Sequence, residues 1–145
     1  MPVHLKERKN FANIKVASLN CRGLNDQVKR ACIFDRFKHS DVDIICLQET
    51  KLKPEKEFLY RNEWDKGPSF FNSINGGKSG TAILFNTNHV IIKSSMFDKS
   101  GRIIALDVDV GGTVLHVVNT YFPNCDNDQY SFIHGLHPFF TLLFL

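Results

Sequence analysis

The chain has 145 residues, of which 43% are hydrophobic, so it holds enough apolar material for one globular domain and lacks the composition of a disordered chain. Its formal net charge of +3 is too small to indicate nucleic-acid binding on its own. No stretch approaches the roughly 20 consecutive apolar residues of a membrane-spanning helix, and the four cysteines lack metal-ligand spacing. We therefore expect a soluble protein of the nucleus or cytoplasm, with reduced thiols and no membrane partner.

The chain begins with the pattern of a strand followed by a helix. Residues 1–13 form a polar and basic lead-in, and residues 14–20 then alternate like a strand until glycine and turn residues interrupt them. Asn25 or Asp26 can cap a helix from residue 27 to about residue 39, where apolar positions follow helical spacing. This segment therefore predicts a β-strand leading into an amphipathic helix.

A second strand follows at residues 44–47, an unbroken apolar run that ends abruptly at polar residues. Because the connection from the first strand is too long for a hairpin, we expect the two strands to be parallel with a right-handed crossover. Parallel strands end at one edge of a sheet, and in open α/β sheets that edge binds ligands. The pattern therefore places Asn20 and Glu49 together at a candidate site.

The middle of the chain changes to the two-residue period of β-strands. A short helix at residues 57–64 precedes this change, and Trp64 is expected to pack rather than to act in a site. Gly111 and Gly112 join the last two strands as a two-residue hairpin, and a further helix is expected from about residue 129. These elements predict an α/β fold with one mixed sheet and flanking helices. The predicted strands are residues 70–72, 80–86, 90–95, 103–110 and 114–121.

Four polar residues stand at the predicted strand ends: Asn20, Glu49, Tyr121 and Asn124. A carboxylate, two amides and a phenol offer hard oxygen ligands and hydrogen-bond donors, which suit Mg²⁺ and a phosphate better than Zn²⁺. An ordinary sheet whose strands end in polar turn residues would explain the same residues equally well. The residues alone therefore leave both interpretations open.

Five short segments add a resemblance to a known family: residues 18–23 (SLNCRG), 47–51 (LQETK), 80–84 (GTAIL), 101–102 (GR) and 119–124 (NTYFPN). In this order they resemble the endonuclease/exonuclease/phosphatase superfamily, and within it most closely the apurinic-type endonuclease domain of LINE-type (non-LTR) retrotransposons. The resemblance extends from about residue 14 to residue 124. It implies a four-layered, DNase I-like α/β sandwich that cleaves DNA with a divalent metal, Mg²⁺ or Mn²⁺.

The resemblance also implies roles for individual residues. Glu49 matches the metal-binding glutamate, and Asn20 matches an asparagine beside the metal, so both are candidate metal ligands. Tyr121 and Asn124 match residues that contact the scissile phosphate. The implied catalytic residues are Asn20, Glu49, Tyr121 and Asn124.

The implied contacts to DNA are Arg22, Lys51, Arg102 and Asn124. Arg102 matches a family position near the nucleic-acid path. Lys51 would attract a polyanion, although a solvated loop lysine is an equally good interpretation. DNA is therefore the expected partner.

The later motifs of the family do not occur in this sequence. They are a Gly-Asp-Phe-Asn segment, a further Ser/Asp segment and a terminal Ser-Asp-His, which supply the aspartate that aligns the nucleophile and the catalytic histidine. Only 21 residues follow Asn124, and residues 139–145 form an apolar tail. We therefore expect residues 14–138 to form an incomplete sandwich, and the chain to be a truncated endonuclease that is inactive alone.

An incomplete sandwich would leave the inner face of its sheet without a partner, which predicts self-association through that exposed sheet face. Two other functions remain open. One is a non-catalytic DNA-binding remnant that uses Arg22, Lys51 and Arg102, and the other is a phosphatase of the same fold that acts on a lipid phosphate.

Overall fold

The structure is a computed structural model that describes residues 13–137. The expected basic lead-in, apart from residue 13, and the expected apolar tail lie outside these residues. A short 3-10 turn at Pro54–Lys56 leads directly into the second helix. The elements are β1 Val16–Asn20, α1 Gln27–Lys38, β2 Ile44–Gln48, α2 Glu57–Trp64, β3 Ser69–Asn72, β4 Thr81–Phe85, β5 Val90–Phe97, β6 Ile103–Val110, β7 Thr113–Thr120 and α3 Asp126–Gly135.

The strands form two sheets. The first sheet has the order β1-β2-β4-β3, and the second has the order β5-β6-β7. Strands β1 and β2 are parallel, as predicted, whereas β4 is antiparallel to both of its neighbours and the second sheet is entirely antiparallel. Gly111 and Gly112 join β6 to β7, which confirms the predicted two-residue hairpin.

The prediction of one mixed sheet is wrong, although the α/β class is correct. The segments with a two-residue hydrophobic period were correctly predicted to be strands. However, β5 pairs with β6 and not with β4, so the strands divide into two sheets. All five residues of β4 are buried, which requires cover on both faces of the first sheet. The second sheet supplies that cover on one side, so the inner face that was expected to be uncovered is packed.

A core of aliphatic and aromatic side chains fills the space between the two sheets. Strands β2 and β4 contribute from one side and β6 from the other, with alternate residues pointing inward. This layer holds the ends of β2 and β7 near each other, which positions the site described below. Its buried members are Ile44, Cys46, Ile83, Phe85, Ile104, Leu106, Val108 and Val110.

The two helices α1 and α2 cover the other face of the first sheet. Trp64 is fully buried there; its indole Nε1 donates to the Phe85 carbonyl at 2.9 Å, and its ring meets Phe34 edge-on with centroids 5.6 Å apart. Arg30, which is also buried, pairs through its guanidinium with the Glu63 carboxylate. The packing role predicted for Trp64 is confirmed.

Helix boundaries follow their local signals at α1 and depart from them at α3. Asp26 caps α1, because its carboxylate accepts from the Lys29 backbone N–H at 2.7 Å. Helix α3 begins at Asp126, earlier than the predicted residue 129. Asp126 and Asp128 lie in its first turn, where carboxylates interact favourably with the helix dipole, and the prediction had placed them before the helix.

In the described part of the chain, none of the helices combines the length and the apolar character that crossing a bilayer requires. The four cysteines are free thiols, with Cys32 and Cys125 exposed. Burial raises the pKa of Cys21 and of Cys46 to about 11 in each case, so these two thiols stay protonated at neutral pH.

Candidate active site at the strand ends

The ends of β1 and β2 place Asn20 and Glu49 at one edge of the first sheet. Asn20 is paired in register with Gln48, and Glu49 is the next residue along the chain. The Asn20 side-chain oxygen accepts from the Arg22 backbone N–H at 3.1 Å, which shapes the turn after β1. The parallel pairing thus brings both residues to the edge that the sequence indicated.

A sharp turn after β2 orients Glu49. Its φ of 56° lies in the left-handed region, which costs roughly 1–3 kcal/mol for a residue other than glycine. Two flanking segments hold the turn, because the Gly23 N–H donates to the Glu49 carbonyl at 2.7 Å and the Lys51 N–H donates to the Ser79 carbonyl at 2.8 Å. Arg22, Lys51 and Ser79 also have positive φ. Strained backbone concentrated in one place is typical of functional sites.

Tyr121 reaches Glu49 across the gap between the two sheets. Its hydroxyl donates to Glu49 Oε1 at 2.9 Å, although Tyr121 follows β7 of the second sheet. Burial, and then the hydrogen bond with the Glu49 carboxylate, raise the pKa of the Tyr121 phenol above its ordinary value of 10.0. The phenol is therefore protonated at neutral pH and available as a donor.

Arg102 and Asn124 complete the surroundings of Tyr121. Arg102 Nη1 donates to the Tyr121 carbonyl at 3.1 Å, and the guanidinium carbon lies 4.8 Å from the centre of the tyrosine ring, within cation–π range. Arg102 and a hydrogen bond with the Asn124 side chain each lower the pKa of the phenol, against the effect of Glu49. The structure thus brings four predicted residues together: Glu49, Arg102, Tyr121 and Asn124.

The other two predicted cations lie on the turns that leave this edge. Arg22 and Lys51 each stand two residues beyond a site residue, Asn20 and Glu49 respectively. Arg22 is exposed, and the half-buried Lys51 side chain runs past Gly23. Both residues therefore lie close to the candidate site, and the backbone of each has a positive φ.

Two polar side chains behind the site were missed by the sequence analysis. Asn119 is 2% exposed, and Gln48 Nε2 donates to its side-chain oxygen at 2.8 Å. A signal for Asn119 was present, because Leu115 and Val117 face the core from β7 and alternation puts position 119 on the same inward face. A buried amide such as that of Asn119 needs hydrogen-bond partners, and the sequence does not show which residues supply them.

A protein-family model matches most of the chain. The model of the Endonuclease/Exonuclease/phosphatase family matches residues 17–135, which include every predicted site residue. The chain belongs to this family. The superfamily resemblance of the five sequence segments is therefore correct.

Curated relatives within this family are nucleases. The chain is 28% identical over 117 residues to a DNA-(apurinic or apyrimidinic site) endonuclease of Dictyostelium discoideum, a match that covers 77% of this chain and 30% of the relative. It is 29% identical over 122 residues to an exodeoxyribonuclease of Bacillus subtilis, covering 77% of this chain and 43% of that protein. The chain thus spans less than half the length of either relative.

The solved structure of D. rerio TDP2 complexed with single-strand DNA product has the same fold. The TM-score is 0.61 at 17% sequence identity, and the match covers 85% of this chain and 52% of TDP2. At this identity the likeness establishes the fold. The arrangement of strands and helices described above is therefore a fold that this solved structure shares.

The side-chain oxygens at the ends of β1 and β2 have the chemistry that a hydrated divalent ion needs. Glu49 offers a carboxylate and Asn20 an amide oxygen, and Mg²⁺ in phosphate sites needs only one or two protein carboxylates because it keeps several waters. Within residues 13–137, no three His, Cys, Asp or Glu side chains are grouped to hold a metal ion, whereas structural zinc sites use four such ligands. The Glu49 carboxylate and the Asn20 amide oxygen are therefore chemically suited to a hydrated divalent ion.

Proposed function

We propose that this chain carries part of the active site of a metal-dependent DNA endonuclease of LINE retrotransposon type, built on a four-layered α/β sandwich. One observation carries the proposal: the hydrogen bond between Tyr121 and Glu49, which joins the two sheets where β1 and β2 end. The NTYFPN sequence of residues 119–124 and the two nuclease relatives favour DNA over a lipid phosphate as the substrate.

Each residue has a chemical reason for its proposed role. Glu49 and Asn20 would hold Mg²⁺ or Mn²⁺, which when bound would offset charge on the phosphoryl oxygens. Asn124 donates a hydrogen bond to a phosphate without adding negative charge that would repel it. The single hydroxyl hydrogen of Tyr121 is shared with Glu49 in the metal-free chain, so Tyr121 donates to a phosphate only once that hydrogen leaves Glu49. Arg22, Lys51 and Arg102 attract the DNA backbone, so binding should weaken as salt rises. The last expectation follows from counterion release.

We further propose that residues 1–145 bind the metal and DNA without cutting DNA. The family's nucleophile-aligning aspartate and its histidine belong to later segments that this sequence does not contain. If the genomic sequence after the codon for Leu145 encodes those segments, truncation is supported. If it does not encode them, a DNA-binding remnant is favoured.

A metal-binding and nicking experiment tests the proposed site. Mn²⁺ binding, followed by electron paramagnetic resonance, should weaken at least about tenfold in Glu49→Gln, because the anionic ligand is lost; this corresponds to about 1.4 kcal/mol. In the presence of Mg²⁺ the unsubstituted chain should bind plasmid DNA at low salt. It should nick that DNA no faster than the Glu49→Ala variant does.

Glu55→Gln is the matched control, because it removes the same charge from an exposed glutamate on the turn before α2. It should leave Mn²⁺ affinity unchanged. Equal Mn²⁺ affinities of the two glutamine variants would overturn the metal site. Robust nicking that Glu49→Ala abolishes would overturn the proposed inactivity and retain the site.

We also propose that the chain self-associates through strand edges, since the inner sheet face is covered. In the described chain β1 is one of the two edge strands of the first sheet, and β7 is one of the two edge strands of the second. They expose Val16, Leu19 and Val114, and open apolar edges invite pairing. Sedimentation velocity should show concentration-dependent dimers that Val16→Lys reduces; a monomer at every concentration would contradict this.

A further inference from the structure

The three strands that carry the proposed site are tied together by polar side chains one or two positions before the site residues. Gln48 of β2 donates from its Nε2 to Ser18 Oγ of β1 at 3.0 Å and to Asn119 Oδ1 of β7 at 2.8 Å. The result is a chain of side-chain hydrogen bonds, which we call the amide bridge, formed by Ser18, Gln48 and Asn119. The site residues that follow on the same strands are Asn20, Glu49 and Tyr121, respectively.

Asn119 anchors the amide bridge inside the protein. Its Nδ2 donates to the Leu47 carbonyl of β2 at 2.9 Å and to the Ala82 carbonyl of β4 at 2.8 Å, while its oxygen accepts from Gln48. Both amide hydrogens and the amide oxygen are therefore used. A buried amide is costly unless it is hydrogen-bonded, and this one has three partners that all lie in the opposite sheet.

The amide bridge supplies a constraint that the apolar layer does not. Hydrophobic contacts between the sheets are non-directional, so they tolerate small sliding movements. The 2.9 Å contact between Tyr121 and Glu49 does not, because a hydrogen bond weakens steeply when a sheet shifts by about 1 Å. Two directional bonds, one donated by Asn119 to the Leu47 carbonyl and one donated by Gln48 to Asn119, link the two sheets within two residues of that contact.

We propose that Asn119 and Gln48 are positioning residues that set the separation between the Glu49 carboxylate and the Tyr121 phenol. The inference rests on the proposed function in taking this pair as the site, but the geometry it concerns exists without metal or DNA. Replacing either amide should leave the strands paired within each sheet while loosening the contact between Glu49 and Tyr121.

The test uses the metal-free chain with ¹³C at the ζ carbon of tyrosine, whose NMR shift reports hydrogen bonding of the phenol. The Tyr121 signal is assigned with Tyr121→Phe, and Glu49→Gln provides the reference for a perturbed contact. Gln48→Met and Asn119→Leu should each move the Tyr121 signal most of the way toward that reference. The signals of Tyr60 and Tyr130, which lie in α2 and α3, should stay in place.

Asn86→Leu is the matched control. Asn86 also donates its amide to two backbone carbonyls, those of Phe37 and Ser40, at 3.0 and 3.4 Å, but it follows the opposite end of β4. It should lower the melting temperature without moving the Tyr121 signal. A signal that moves equally in this variant would show that general loosening, and not positioning, is responsible.

Two outcomes separate this inference from the nuclease proposal. If Asn119→Leu does not fold, Gln48→Met still decides, because Gln48 is only partly buried; a folded Gln48→Met with an unchanged Tyr121 signal overturns the inference. If the signal moves as expected while the unsubstituted chain binds no Mn²⁺, the positioning role holds and the proposed function fails.

Discussion

Trp64→Ala is expected to reduce the free energy of unfolding by about 3–5 kcal/mol, the usual cost of truncating a large buried aromatic side chain. Trp64 is fully buried, and it links α2 to α1 through the Phe34 ring and to the first sheet through the Phe85 carbonyl. Removing the indole leaves a cavity and deprives that carbonyl of its donor. Because domains are stable by only about 5–15 kcal/mol, the variant should be visibly less stable in urea.

Far-UV circular dichroism is the appropriate measurement, because Trp64 is the single tryptophan and its fluorescence is lost in the variant. Phe58→Ala is the control, since Phe58 lies on the same helix but is 65% exposed. Its effect should stay within about 0.5 kcal/mol. A loss below about 1 kcal/mol for Trp64→Ala would contradict the packing of α2 described here.

Gly80→Ala is expected to destabilise the chain by about 3 kcal/mol and to disturb the site as well. Gly80 has φ +101°, and a Cβ at this position would overlap the Thr50 hydroxyl and lie 3.0 Å from the Lys51 backbone nitrogen. Thr50 is fully buried, so a shift of its side chain must displace protein atoms or enter internal space. Displacing it would move Glu49, the residue before it, and should weaken Mn²⁺ binding.

Gly76→Ala separates the two contributions to this effect. Gly76 has a similar φ of +92°, but a Cβ there would meet nothing within 4 Å. It should therefore show only the backbone cost, about 1–2 kcal/mol, with Mn²⁺ affinity unchanged. Equal losses for the two alanine variants, or equal Mn²⁺ affinities, would show that the contact of Gly80 with Thr50 has no role in placing Glu49.

The predicted elements succeeded where the signal was local. Helix α1 was expected from residue 27 and α2 over residues 57–64, and both begin there. Asp26 caps α1, and helical spacing is a signal that acts over one or two turns. The boundary of α3 was missed by three residues, since Asp126 and Asp128 suit positions before a helix and positions in its first turn almost equally.

The candidate site was partly visible in the sequence for a related reason. The lengths of the elements between β1 and β2 dictate parallel pairing, and parallel pairing puts Asn20 and Glu49 at one edge. The sequence did not show that Tyr121 donates to Glu49, nor that Arg102 lies against the tyrosine ring, because these contacts join residues that are far apart in the chain. The roles of these residues remain proposals.

By itself the sequence determined which segments form strands and helices, that the first two strands run parallel, and which polar residues stand at their ends. Only the tertiary structure decided that the strands divide into two sheets, and that Asn119 carries an amide into the layer between them. The reason is physical. Hydrophobic periodicity records which face of an element is buried, whereas the choice of partner depends on packing between faces that are distant in sequence.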